Sequence, residues 1–202
     1  EDLDKLIVYV HWGYEYRDFP NLYQKNYNLF FQDLGVDIVI GSHPHIIQPM
    51  QYSKKNNQEF LTVFSLGNFV SNQREERKDG GAMVRLSFKK TYNNILISRK
   101  EYIPIWVNKF MKKEKYHYQI LPCARAIYNE KYFSKNEDFQ KMKTFLDITR
   151  THLNTNNLAI KEGLPYGFFK FKPITILQSK VPELRKLDCK QLKTKRRRKR
   201  IK

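Results

Sequence analysis

Three histidines carry the chemistry that can be read from this sequence. His43 and His45 flank Pro44 in the run Gly41-Ser42-His43-Pro44-His45, and His11 stands before Trp12-Gly13 earlier in the chain. A neutral imidazole nitrogen is a ligand for zinc, manganese or iron. In an extended segment, residues i and i+2 face the same way. Pro44 fixes its own φ and biases His43 towards extended geometry, and Gly41 permits a sharp exit from whatever precedes it. The run therefore predicts two ring nitrogens at about 2.1 Å from one metal, or one on each of a metal pair. A two-metal hydrolytic centre also needs carboxylate or other ligands that hold the ions ~3.5–4 Å apart. Glu15, Asp18 and Asp37 are the nearby acids. Asp37 lies within an apolar run, and Asp18 reads as a helix cap. Glu15 is left as a group beside the ligands or on the substrate side. Asn68, in Ser65-Leu66-Gly67-Asn68-Phe69, could ligate or bond substrate; an Asn that stabilises its own turn is the alternative. His117 and His152 have no partners at ligand spacing and read as ordinary surface or helix histidines.

The elements around these residues should bring them together. Lys5–Val10 reads as a short buried strand that delivers His11, and Val36–Ile40 as a second that delivers the histidine pair. Between them, Asp18 and Pro20 read as a helix start. Tyr23, Tyr27, Phe30, Phe31 and Leu34 follow at helical spacing, and Gly35 supplies the stop. This is a βαβ unit with parallel strands and a right-handed crossover. Parallel strands put both carboxyl ends, and so His11, His43 and His45, at the edge where open α/β sheets place ligands. Phe60–Leu66 is a third strand, ending at Gly67-Asn68. Gly81–Phe88 and Ile95–Val107 are further strands, joined by a polar turn from Lys89 to Asn94. The character changes at Pro122. Asn136–Leu153 has helical spacing, Gly163–Lys172 reads as a loop, and the chain from Lys190 onward as disordered.

The 202 residues are enough for one domain with a core and an extension, and 41% hydrophobic content makes that core feasible. No window approaches the ~20 apolar residues of a membrane span, and no secretory signal is visible. The chain opens at Glu1, without a Met, and enters a strand almost at once, which reads as a fragment or a processed product. Cys123 and Cys189 belong to no Cys-x-x-Cys or Cys/His cluster, so no zinc finger is indicated. The net charge of +18 is uneven: residues 1–100 carry 13 basic and 11 acidic side chains, residues 101–202 carry 25 and 9. Much of the excess lies in Lys195-Arg196-Arg197-Arg198-Lys199-Arg200, a run suited to an anionic polymer or an anionic membrane surface. It lacks interleaved aromatics and any base-reading motif, which argues against specific nucleic-acid binding.

Taken together, several motifs resemble the poly-γ-glutamate capsule biosynthesis (CapA-type) proteins. They are His11-Trp12-Gly13-Tyr14-Glu15-Tyr16, Pro20, Gly35 to His45, Gln48-Pro49 and Ser65 to Val70. Tyr102-Ile103-Pro104 and Leu121-Pro122 fit later segments of the family. That family is similar to the calcineurin-like metallophosphoesterases, which implies a layered α/β sandwich with a metal-dependent hydrolase centre. On this resemblance His11 matches an isolated metal-binding histidine, and His43 and His45 the closing His-x-His pair. One or two divalent ions (manganese, zinc or iron) and a phosphoester or anionic polymer substrate are implied, with the bacterial cell envelope as the setting. The family's Asp-bearing strand end and its Asn-Asn-His segment do not occur in these residues, so the chain reads as the C-terminal half of such a site. Residues 1–122 then form the C-terminal part of the metallophosphoesterase-like domain, 123–189 a mostly helical extension and 190–202 a basic tail. The rival expectation is a non-catalytic component that binds or exports an anionic polymer.

Overall fold

A computed structural model describes residues 3–55, 58–92, 94–164 and 174–177. Among these residues the strands form two sheets. In the first, β1 (Ile7–His11), β2 (Ile38–Ser42) and β4 (Gln58–Val63) run parallel, and β3 (Met50–Lys55) pairs antiparallel with β4, in the order β1-β2-β4-β3. In the second, β5 (Gly80–Thr91), β6 (Asn94–Lys112), β7 (Lys115–Pro122) and β9 (Ile174–Leu177) are antiparallel, and β8 (Lys161–Glu162) adds in parallel to β6.

Alternation along the central strands sets the layers. Val39, Phe60 and Phe64 project to the side of α1 (Leu22–Asp33), where they pack with Trp12 and Val36. Ile38, Leu61 and Val63 project to the other side. There they meet Ala82, Tyr102, Trp106 and Leu121 of the second sheet, and Phe139, Met142, Phe145 and Leu146 of α3 (Asn136–Asn156). The molecule is thus a mixed α/β layered sandwich, as expected. The short α2 (Cys123–Ala126) and α3 share this central core. Cys123 is buried and free, and the inaccessible site pushes its thiol well up. The basic run 195–200, Cys189 and most of the expected loop 163–172 lie outside the described residues.

Four expectations are corrected. Asp18 does not cap α1; it pairs with Arg77, and the cap is Asn21. The Asn21 side chain accepts from the Gln24 amide at 2.8 Å while Gln24 Oε1 accepts from the Asn21 N–H at 3.1 Å, a reciprocal capping box. Most of the aromatic stripe of α1 does not face the core: Tyr23, Tyr27 and Phe30 are exposed, Phe31 packs beside Trp12, and Gln24 and Asn28 are buried. Asn28 Oδ1 accepts from Thr62 Oγ1 at 2.7 Å, which lets a polar face lie on the sheet. Third, β1 is not buried. Among the described residues it is an edge strand, with Ile7 54% and Tyr9 69% exposed. Fourth, the expected turn from Lys89 to Asn94 is shorter, because the β5–β6 ladder continues to the Thr91↔Asn94 pair.

Candidate metal centre

The carboxyl ends of β1 and β2 lie side by side because the register pairs His11 with Ser42. One residue further, the Trp12 N–H donates to the Ser42 carbonyl at 3.1 Å, which extends the ladder by a step before the chains diverge. The Trp12 indole then donates to the Phe64 carbonyl at 2.9 Å, so the residue after His11 is pinned across the sheet to the end of β4. Gly41 is what lets this happen. A Cβ there would collide with the Phe64 carbonyl and the Trp12 indole.

The three histidines converge. The His11 and His43 ring centroids are 4.5 Å apart, and those of His43 and His45 are 6.2 Å apart. The way they converge differs from the expected one. His43–His45 is a bend rather than an extended segment, with φ of +102° at His43 and +60° at His45. Positive φ is uncommon for residues with a Cβ and costs of order 1–3 kcal/mol. The surroundings impose it. The Tyr16 N–H, from the β1–α1 loop, donates to the Pro44 carbonyl at 2.8 Å, and the Leu66 N–H donates to Gly41 O at 3.2 Å.

Each ring has partners. His11 Nδ1 lies 3.4 Å from Ser42 Oγ. His45 stacks on Tyr16, with centroids 5.8 Å apart, and its Nδ1 is 2.9 Å from Asn68 Oδ1. Glu15 Oε1 lies 3.6 Å from His45 Nε2, so the acid retained from the sequence does stand beside the histidines. Asp37 sits at the opposite end of β2 and is structural: it accepts from Lys5 Nζ and from the Leu6 N–H, each at 2.8 Å. His117 stacks on Phe110 and His152 packs edge-on to Phe19. Neither joins the cluster.

Imidazole nitrogens drawn together at a sheet edge, with a carboxylate alongside, suit a borderline divalent metal in donor type. Among the described residues, however, no group of three or more His, Cys, Asp or Glu is arranged to hold a metal ion by itself. Among the described residues the three histidines are therefore not a closed ligand set.

The residues that hold the cluster from behind carry no signal in their types or spacing. Gln73 sits in a polar stretch with no periodicity, yet its amide bonds both Asn68 and Tyr16. The segment from Asn72 to Asp79 is fastened to the second sheet. Asn72 Oδ1 accepts from Lys109 Nζ and Tyr118 OH, Arg74 donates to the Val107 carbonyl and lies over the Trp106 ring, and Asp79 Oδ2 accepts from the Trp106 indole at 2.8 Å. Burial pushes the Asp79 carboxyl up and the Arg74 guanidinium down, each partly opposed by the other's charge.

Comparison with known proteins gives the context. Residues 1–73 match the family of bacterial capsule synthesis proteins, PGA_cap. The PGA biosynthesis protein CapA of Bacillus subtilis (strain 168) is 36% identical over 87 residues, 43% of this chain and 22% of that protein. The capsule biosynthesis protein CapA of Bacillus anthracis is 35% identical over 82 residues, 41% of this chain and 19% of that protein. The chain thus matches about a fifth of the length of these curated relatives.

Proposed function

We propose that this chain, which through residues 1–73 belongs to the CapA-type family of bacterial capsule synthesis proteins, supplies the histidine side of a divalent-metal hydrolase centre acting on an anionic polymer or phosphoester. One observation carries the reading: His11, His43 and His45, from two different strand ends, meet at the carboxyl edge of a parallel sheet, with two of them held at positive φ. Strained backbone maintained by several hydrogen bonds is a mark of functional sites.

In this reading His11, His43 and His45 hold the metal, with the remaining ligands coming from outside the described residues. A metal bound there would supply a hydroxide from water and a positive charge against an anionic substrate. The chain's own residues contribute position. The ring of Tyr16 walls His45 on one face, Trp12 is locked beneath the edge, and Glu15 stands where it can take a proton or a water. The Bacillus relatives are proteins of capsule or PGA biosynthesis by name, and a polyanionic product suits a cationic centre.

A second reading, a polymer-binding or export component with a vestigial metal site, is favoured by one fact. The described residues do not close a ligand set. The two readings part in equilibrium dialysis against Mn²⁺ and Zn²⁺ followed by elemental analysis, on the protein extended to include the remaining ligands, wild type beside His43→Ala/His45→Ala. Metal retained by the wild type and lost in the variant supports the hydrolase centre and calls for a phosphoester substrate screen. Equal, background metal in both sinks it.

A further inference from the structure

The orientation of one buried amide determines which nitrogen of His45 carries a proton. Asn68 is 8% exposed and sits where the chain leaves the first sheet, its backbone N–H donating to the Gly80 carbonyl at 3.0 Å. Its side chain meets three groups. On one side are the Lys78 carbonyl at 2.8 Å and Gln73 Oε1 at 2.9 Å, and on the other is His45 Nδ1 at 2.9 Å. A backbone carbonyl only accepts, so the atom facing Lys78 is the amide nitrogen. The atom facing His45 is then the amide oxygen, which also only accepts. His45 Nδ1 must therefore donate. In a neutral imidazole with Nδ1 protonated, Nε2 holds the free lone pair. Nε2 is the nitrogen on the Glu15 side, at 3.6 Å from its carboxylate.

We infer that Asn68 is a positioning residue. Clamped by the Lys78 carbonyl and Gln73, it holds His45 in the Nδ1–H tautomer, so that Nε2 is presented as a ready donor atom. Gln73 completes the clamp. Its Oε1 accepts from Asn68 while its Nε2 donates to Tyr16 OH at 2.9 Å, and Tyr16 stacks on the same imidazole. The Lys78 carbonyl is itself held, since the Lys78 N–H donates to Glu75 O at 3.0 Å and its Nζ lies over the Tyr16 ring at 3.9 Å. The amide therefore cannot turn over without setting its oxygen against a carbonyl. This differs from a ligand or substrate-contact role for Asn68: the side chain is spent on three internal bonds. The tautomer stands on these hydrogen bonds alone. Its use, a lone pair offered to a metal, rests on the function proposed above.

The test is long-range ¹H–¹⁵N correlation of the His45 ring in the full chain, at a pH where imidazole is neutral. Such spectra separate a protonated from an unprotonated ring nitrogen. The wild type should show protonated Nδ1 and free Nε2. Asn68→Ala should shift the proton towards Nε2. Gln73→Glu should keep Nδ1–H, because one carboxylate oxygen still accepts from the Asn68 nitrogen and the other can accept from the Tyr16 hydroxyl. A Zn²⁺ titration against a competing chelator gives the second readout. Asn68→Ala should weaken binding about 10- to 100-fold, the usual cost of removing the partner of a ligating histidine, and Gln73→Glu should not. A wild-type His45 carrying its proton on Nε2 overturns the inference, and so does an Asn68→Ala spectrum unchanged from wild type. If Asn68→Ala does not fold, the wild-type and Gln73→Glu spectra still decide it. The predicted tautomer without Zn²⁺ binding in any form would uphold the positioning role and count against the metal centre.

Discussion

Replacing Gln24 by Met should destabilise the protein by about 1–3 kcal/mol, although Gln24 is a polar residue on a helix whose aromatic neighbours look more important. Gln24 is fully buried. Its Nε2 donates to Gln48 Oε1 at 2.8 Å, and Gln48 is also fully buried, its own Nε2 donating to the Arg17 carbonyl at 2.9 Å. Met has similar length but neither donor nor acceptor. Gln48 cannot turn its amide to compensate, because its nitrogen is committed to Arg17. Its oxygen is left without a donor in the interior, at roughly 1–3 kcal/mol. The Asn21 N–H also loses its acceptor, but it is partly exposed and water can replace Gln24, so this adds only about 0.5 kcal/mol. Relief of the desolvated Gln24 amide offsets a fraction. For a chain of this length the net loss should lower Tm by roughly 2–12 °C. Urea unfolding is the assay, with a fall in midpoint and no change in slope. The control is Tyr23→Ala, one residue away and exposed, which should change stability by no more than about 0.5 kcal/mol. A loss below about 0.5 kcal/mol for Gln24→Met, with a large loss for Tyr23→Ala, would show that α1 packs through its aromatic face and refute the argument.

Three further outcomes follow from the same packing. Gly41→Ala should cost about 3 kcal/mol or more by driving a methyl into the Phe64 carbonyl and the Trp12 indole, and thermal unfolding would show it. Burial raises the Asp79 carboxyl, so the native state holds that proton more tightly than the unfolded chain and the charged form weakens the fold at neutral pH. The stability advantage of Asp79→Asn over wild type should therefore shrink as pH falls towards the raised value, measured by urea unfolding across a pH series. His152 is shifted the other way, held below the usual 6.5 first by burial and then by Arg77. The unfolded chain then takes up the proton first, and wild type should lose stability relative to His152→Gln as pH falls through about 6.5. Equal Tm losses for the two proteins between about pH 7.5 and pH 5.5 would contradict the assignment.

The convergence of the histidines was legible because it depends on topology. Two apolar runs separated by one helix imply parallel strands, and parallel strands bring their carboxyl ends to one edge. The backbone at His43 was not legible. The bias that Pro44 exerts on its predecessor is local, and it is overridden by hydrogen bonds from Tyr16 and Leu66, which come from other elements. The aromatic face of α1 misled for a related reason. Periodicity shows that a helix has an apolar side but not which side is covered. Here Asn28 meets Thr62 and Gln24 meets Gln48, so the polar side is the one that finds complete partners in the described structure. β3 was not legible because Gln51-Tyr52-Ser53-Lys54-Lys55 carries no strand pattern of its own, and in β7 the alternation of Tyr116, Tyr118 and Ile120 is short and set among polar and basic residues. They are strands because β4 and β6 offer them a ladder. Gln73 and the Lys78 carbonyl, which fix Asn68, could not be found from residue type at all.

The family match ends at residue 73, but the physical unit does not. A chain cut there would keep all three histidines. It would lose the Lys78 carbonyl that orients Asn68, and the second sheet that fastens the loop carrying it. It would also uncover the face of the first sheet formed by Ile38, Met50, Leu61 and Val63, all fully buried against Tyr102, Trp106, Leu121 and α3. Each such side chain contributes roughly 1.5–3 kcal/mol through burial, so four represent about 6–12 kcal/mol, as much as the whole stability of an ordinary domain. Residues 1–73 alone should therefore show no cooperative unfolding transition and little dispersion of amide resonances. Residues 1–164 retain α3 and both sheets apart from β9, and should show both. A cooperative transition in the shorter piece would mean that the first sheet is stable without the second.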